Sequence, residues 1–156
     1  MTDASISKPA TILVVDDNAQ NLELLEAYLE DMPNITTISA TNGREALDKV
    51  AAHRPDLILL DVMMPRMSGF EVCKKIKSDP ATKDIAVIMI TALNEVGDVE
   101  RGVEVGTNDF LTKPVNRADL LARIKSLLDA RHVKSETDRE MKYIEQLGKP
   151  TDQPQG

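Results

Sequence analysis

The chain has 156 residues, a formal net charge of −7, 42% hydrophobic residues and 3% aromatic residues. That length suits one folded unit with a tail, and its core must be built from Leu, Ile, Val, Ala and Met. A single cysteine, Cys73, excludes an internal disulfide, and an acidic chain without a Lys/Arg block argues against direct contact with nucleic acid.

Met1 to Ala10 is short and polar and lacks the apolar centre of a signal peptide. No stretch approaches the roughly 20 apolar residues that span a bilayer. The expected setting is the cytoplasm, away from membranes, with residues 1–10 disordered.

Thr11 to Val15 is an apolar, β-branched run that reads as a strand and ends in Asp16 and Asp17. Asn18 can cap a helix over about Ala19 to Glu30, with Leu22, Leu25 and Leu29 on one face. Pro33 and Asn34 break it. Ile35 to Ser39 is a weaker strand. Asn42 and Gly43 start a helix carrying Ala46, Leu47 and Val50, which stops before Pro55. Leu57 to Leu60 then places four apolar residues in a row without polar alternation, the pattern of a strand covered on both faces. It runs into Asp61, and Pro65 and Gly69 fix the turn that follows.

Ser68 opens a helix through about Lys77, closed by Asp79-Pro80. Within it Cys73 lies among Phe70, Val72 and Ile76 and reads as a small buried apolar residue. Ile85 to Ile90 is a fourth apolar run, ending at Thr91. The helix expected over Asn94 to Val105 contains Gly97 and Gly102, each costing about 1 kcal/mol against alanine in a helix interior. It should be the least stable helix. Gly106 ends it. Asp109 to Leu111 is a short fifth strand, followed by Lys113-Pro114. A last helix begins near Asn116-Arg117 and would bury Leu120, Leu121, Ile124, Leu127 and Leu128.

Five alternations of strand and helix predict an α/β fold, a doubly wound parallel five-stranded sheet with right-handed crossovers. It should span residues 11–128. Residues 129–147 keep a helical composition and are expected to extend the last helix, either solvated or pairing two copies of the chain. Residues 148–156 should be a disordered tail.

In such sheets ligands bind beyond the carboxyl ends of the strands. Asp16, Asp17, Asp61, Thr91 and Lys113 all fall there. Each has an ordinary structural use as a cap, a turn residue, a strand end or a surface lysine. Five such uses at matching strand ends would be a large coincidence. Three converging carboxylates repel one another unless a cation sits among them. An all-oxygen set without His or Cys selects a hard cation, foremost Mg²⁺. With Lys113 and the Thr91 hydroxyl as phosphate contacts, the group reads as a phosphoryl-transfer site in which the central carboxylate can be the nucleophile.

These residues carry a resemblance. The chain resembles the receiver (CheY-like) domain of two-component response regulators in four segments: Val14 to Asn18, Leu59 to Gly69, Ile90 to Ala92, and Gly106 to Pro114. The likeness covers about Thr11 to Leu128 and implies a (βα)₅ flavodoxin-like fold. It implies that Asp61 is the phosphoacceptor, taking its phosphoryl group from a phosphohistidine on a sensor histidine kinase or phosphotransfer protein. Asp17, Asp61 and the main-chain carbonyl of Met63 would hold Mg²⁺, with Asp16 acting largely through water. Lys113 would pair with the phosphoryl group, Thr91 would swing toward it, and Phe110 would rotate inward behind Thr91. Ala92 would leave the phosphoryl group room. The Lys113-Pro114 bond is often cis in this family.

Two departures stand out. Thr107 replaces the usual alanine, where slightly different packing is expected. Met63 and Leu93 cannot hold an attacking water, so slow hydrolysis of the acyl phosphate is expected.

The resemblance implies a module that is not itself an enzyme and that switches the binding of a downstream effector protein. Three functions compete. One is a stand-alone receiver, favoured because no output domain fits after Leu128. Another is the receiver piece of a longer regulator with a diguanylate cyclase or HD-type phosphodiesterase output. The third is a Mg²⁺-dependent phosphatase with an aspartyl-phosphate intermediate. Met63 disfavours that last function, because it stands where such enzymes have a second Asp.

Overall fold

The computed structural model describes residues 8–92 and 96–130. Its elements are β1 (Ala10–Val15), α1 (Ala19–Leu29), β2 (Ile35–Ala40), α2 (Gly43–His53), β3 (Leu57–Asp61), α3 (Gly69–Ser78), β4 (Ala86–Thr91), α4 (Val96–Val105) and β5 (Asp109–Thr112). A fifth helix, α5, starts at residue 117 and continues to the last described residue, 130. The expected elements are all present, with ends moved by one or two residues. The expected terminal disorder, the helical extension beyond residue 130 and its pairing of two copies lie outside the described residues. Among the described residues, no helix is long and apolar enough to cross a membrane.

The five strands form one parallel sheet in the order β2-β1-β3-β4-β5. Strand alternation sorts its side chains onto two faces. Ile12, Val14, Leu57, Leu59, Ile88, Ile90 and Leu111 pack under α1 and α5. Leu13, Val15, Ile58, Leu60, Val87 and Met89 pack under α2 and α3. Every residue of β3 is buried, which explains its unbroken apolar run: each side chain meets a helix whichever way it points.

The caps form where the residue types allow. Asn18, Asn42 and Ser68 each accept a hydrogen bond from the backbone N–H three residues on. Ser68 and Glu71 complete a reciprocal capping box.

The two glycines of α4 have different environments. A Cβ at Gly97 would meet nothing within 4 Å. A Cβ at Gly102 would lie 2.1 Å from Cζ of Phe110. Gly102 is therefore a seat for the Phe110 ring as well as a weak point of the helix. Arg101, its neighbour, lies over the Phe70 ring at 4.2 Å from the centroid, so both phenylalanines of the chain pack against α4.

Opposite outcomes follow for the two glycines. Gly97→Ala should stabilise the protein by up to about 1 kcal/mol, through helix propensity alone. Gly102→Ala should destabilise it by about 1–3 kcal/mol, because the ring must leave its seat. Urea unfolding of both variants measures this, and shifts of like sign would contradict it.

Candidate functional site

The sheet register assembles the rim. Val15 pairs with Leu60, so Asp16 follows beside Asp61. Asp61 in turn pairs with Ile90, one residue before Thr91. Thr91 pairs with Thr112, one residue before Lys113. β2 lies outside β1 and β3 lies inside it, so the chain reverses its winding direction between β1 and β3. That reversal is where a doubly wound sheet opens a crevice, and Asp16, Asp17 and Asp61 flank it.

The three aspartates each offer an oxygen within 4.8 Å of the others. Asp16 and Asp61 are 1% and 2% exposed, whereas Asp17 is open to solvent. Asp16 Oδ1 accepts the Asn18 backbone N–H at 2.9 Å. Lys113 Nζ lies 3.0 Å from Asp61 Oδ1 and 3.7 Å from Asp16 Oδ2. Asp61 Oδ1 is buried and makes no hydrogen bond of good geometry, so the Lys113 ammonium 3.0 Å away is its close polar neighbour among the described residues. The main chain ties the lysine to β4 as well, through its N–H, which donates to the Thr91 carbonyl at 2.9 Å; the Lys113-Pro114 peptide is cis.

Burial pushes the Asp61 carboxyl above the usual carboxylate range. Lys113 opposes that shift, while Asp16 and Asp17 add to it. Burial also works against the charge of Lys113, but the facing carboxylates of Asp61 and Asp16 outweigh it and hold its pKa above the ordinary value. Among the described residues, three carboxylates face the Lys113 ammonium, an excess of two negative charges. The donor set is all oxygen, and one buried oxygen lacks a donor. Both features fit a hard divalent cation such as Mg²⁺.

Residues 62–68 connect β3 to α3. Gly69 was expected to shape the turn, but it is the first residue of α3, and the left-handed residue of the turn is Arg66, with φ of 70°. Glycine is needed at position 69 for a different reason. A Cβ there would fall 2.3 Å from the Asp61 carbonyl oxygen, and the Gly69 N–H donates to Val62 at 3.0 Å. Met67 closes over Gly43 at the start of α2. Met63, two residues after Asp61, has its side chain 71% exposed.

Thr91 ends β4, the strand next to β3, and Phe110 lies in β5 beyond it. Thr91 is 1% exposed, and its Oγ1 donates to Asp98 Oδ2 at 3.5 Å. Phe110 is half-buried against the core under α2 and α3. Ala92 is exposed. The sequence offered no signal for Asp98, which sits seven residues beyond Thr91 in a segment read only for its glycines. Thr107, expected to change packing slightly, places its hydroxyl 3.1 Å from the carbonyls of both Val87 and Asp109. A hydroxyl has one proton, so it donates to one of them at a time.

Comparison with known proteins decides the family. The response regulator receiver domain matches residues 12–125. The chain belongs to the response regulator receiver domain family. It is 51% identical over 119 residues to the response regulator PleD of Caulobacter vibrioides, covering 76% of this chain and 26% of PleD. It is 42% identical over 118 residues to the phosphate regulon transcriptional regulatory protein PhoB of Pseudomonas aeruginosa, covering 76% of this chain and 51% of PhoB. The chain thus spans about a quarter to a half of these relatives. The solved signal receiver domain of a signal transduction histidine kinase from Syntrophus aciditrophicus superposes with a TM-score of 0.73 at 39% identity, covering 78% of this chain and 91% of that domain. The fold is the flavodoxin-like fold of CheY-like receivers, and receiver domains are phosphoacceptors of two-component phosphorelays.

The raised pKa of Asp61 has a sign that can be tested. An acid whose folded pKa exceeds its unfolded value of about 3.9 binds more protons when folded, so stability falls as pH rises through that window. Asp61→Asn removes this penalty. Its melting temperature without Mg²⁺ should exceed that of the wild type at pH 7, and the gap should close as pH drops to about 3.9. Added Mg²⁺ should raise the wild-type melting temperature by mass action and leave Asp61→Asn nearly unmoved. Thermal scans across pH, with and without the metal, measure both effects.

Proposed function

We propose that Asp61 is the phosphoacceptor and that its donor is a phosphohistidine on a sensor histidine kinase or phosphotransfer protein. The observation that supports this best is Asp61 Oδ1, buried without a hydrogen-bond partner, with Lys113 Nζ 3.0 Å away. A carboxylate oxygen with an uncommitted lone pair beside a cation is suited to nucleophilic attack.

In the transfer, an Asp61 oxygen forms a bond to phosphorus as the phosphorus–nitrogen bond to histidine breaks. The bonding pair stays on the imidazole nitrogen, which takes up a proton. Lys113 faces the carboxylate before transfer and the phosphoryl oxygens after it, so its charge opposes the charge that develops. Asp17, Asp61 and the Met63 carbonyl would hold Mg²⁺, which when bound neutralises negative charge on the carboxylates and the phosphoryl group. Asp16 Oδ1 already accepts the Asn18 N–H, which supports a role for Asp16 through water.

The acyl phosphate adds about two negative charges at the rim. Thr91 answers by turning its hydroxyl toward the phosphoryl group, and Phe110 moves into the space behind it. The surfaces of α4, β5 and α5 then present a different face to a downstream effector protein. This is a two-state switch biased by a local charge event. The working unit covers about residues 11–128 and acts in the cytoplasm.

With Mg²⁺ and acetyl phosphate, the chain should take up one phosphoryl group, and Asp61→Ala should take up none. Equal labelling of both proteins would end this reading. The exposed Met63 side chain leaves hydrolysis unassisted, so Met63→Asn should speed dephosphorylation by roughly tenfold through placement of a water. The decay of labelled protein measures this, and an unchanged rate would overturn the role given to Met63.

A further inference from the structure

We propose that Asp98 is a positioning residue that holds the Thr91 hydroxyl in the unphosphorylated state and so sets the threshold for activation. The inference rests on the reading above, in which Thr91 turns toward a phosphoryl group on Asp61. Thr91 Oγ1 donates to Asp98 Oδ2 at 3.5 Å. Thr91 is almost fully buried, and Asp98 is half-buried in the first turn of α4. An anion is favoured there by the unpaired amides of the helix start. Among the described residues no cation pairs with Asp98, and the nearby Arg101 is turned over Phe70.

A threonine hydroxyl has one proton and donates to one strong acceptor at a time. The Asp98 carboxylate and the phosphoryl oxygens therefore compete for the same donor. Transfer of the hydroxyl to the phosphoryl group leaves a half-buried carboxylate without this donor and facing new negative charge. Burial makes an unmatched charge costly. The simplest relief is movement of the first turn of α4 toward water. Asp98 thus resists activation through Thr91 and couples the change at Thr91 to α4.

The test is a titration with beryllofluoride, a phosphoryl mimic, in the presence of Mg²⁺, followed by amide NMR. Removal of one charged hydrogen-bond acceptor should lower the half-saturating concentration about three- to tenfold in Asp98→Ala. Asp98→Asn, which keeps an acceptor oxygen but loses the charge, should fall between Asp98→Ala and the wild type and guards against loss of folding. In a Thr91→Val background the Asp98→Ala shift should shrink below about twofold, because the hydroxyl that couples the two residues is gone.

Unchanged half-saturation in both Asp98 variants would overturn the proposal. So would an equal shift with and without the Thr91 hydroxyl, which would mean that Asp98 acts only as a helix-end charge. A wild type that neither binds beryllofluoride nor accepts phosphate from acetyl phosphate would overturn the phosphoacceptor reading as well. A wild type that does both, with no Thr91-dependent shift, would overturn the role of Asp98 alone.

Discussion

The structure depends on one carboxylate held where a carboxylate is unwelcome. Leu57, Ile58, Leu59 and Leu60 are fully buried, and burying each contributes about 1.5–3 kcal/mol relative to exposure. Their packing fixes β3 on both faces and takes Asp61 with it to the end of the strand. There the carboxylate meets Asp16, Asp17 and the Lys113 ammonium. The apolar strand tolerates this because the cost falls on one oxygen, and that cost makes the oxygen chemically useful. The pull of the core and the discomfort of the site arise from the same five residues.

Much of this was legible in the sequence, and the physical reasons are specific. A parallel strand buried on both faces leaves an unbroken apolar run, so β1, β3 and β4 announced themselves. Side chains placed just after such runs must gather on one rim, and that is enough to group Asp16, Asp17, Asp61, Thr91 and Lys113. The register then sets Asp16 beside Asp61 and Thr91 beside Thr112. What could not be read were contacts made across elements by residues of common type. Gly69 looked like a turn glycine, yet it is required because the Asp61 carbonyl passes within 2.3 Å of where its Cβ would be. Gly102 looked like a defect in α4, and it is where the Phe110 ring sits. The bond from Thr91 to Asp98 depends on how α4 is placed over the sheet, which no local pattern encodes.

α4 is attached mainly through aromatic and polar points. Gly102 meets Phe110, Arg101 covers Phe70, the Cys73 thiol donates to the Val105 carbonyl at 3.5 Å, and Asp98 accepts from Thr91. Burial pushes that thiol up to about 11, so Cys73 stays a neutral donor. These contacts contrast with α5, whose Leu120 and Ile124 are fully buried under the sheet. A helix held by a few directional contacts can be shifted by changing one of them, whereas a helix seated on leucines cannot move without opening the core. α4 therefore has the weaker restraint of the two helices that flank β5 in sequence.

Strand alternation separates the acidic cluster from Thr91 and Phe110. Asp61 shares the β3 face of Leu57 and Leu59, under α1 and α5, and Asp16 continues the same face of β1. Thr91 alternates with Ile88 and Ile90 and so falls with Val87 and Met89 on the opposite face, where Phe110 also packs. Charge thus collects on one side of the sheet while the Thr91 hydroxyl and the Phe110 ring lie on the other. Lys113 joins the two, with its ammonium beside Asp61 and its backbone N–H on the Thr91 carbonyl. Any change of charge at Asp61 acts first on Lys113, whose backbone is tied to Thr91 and through it to Asp98 of α4. Adjacent residues of one strand face different helices, so the sheet keeps the acidic cluster and the Thr91 hydroxyl in separate surroundings while joining them through the backbone.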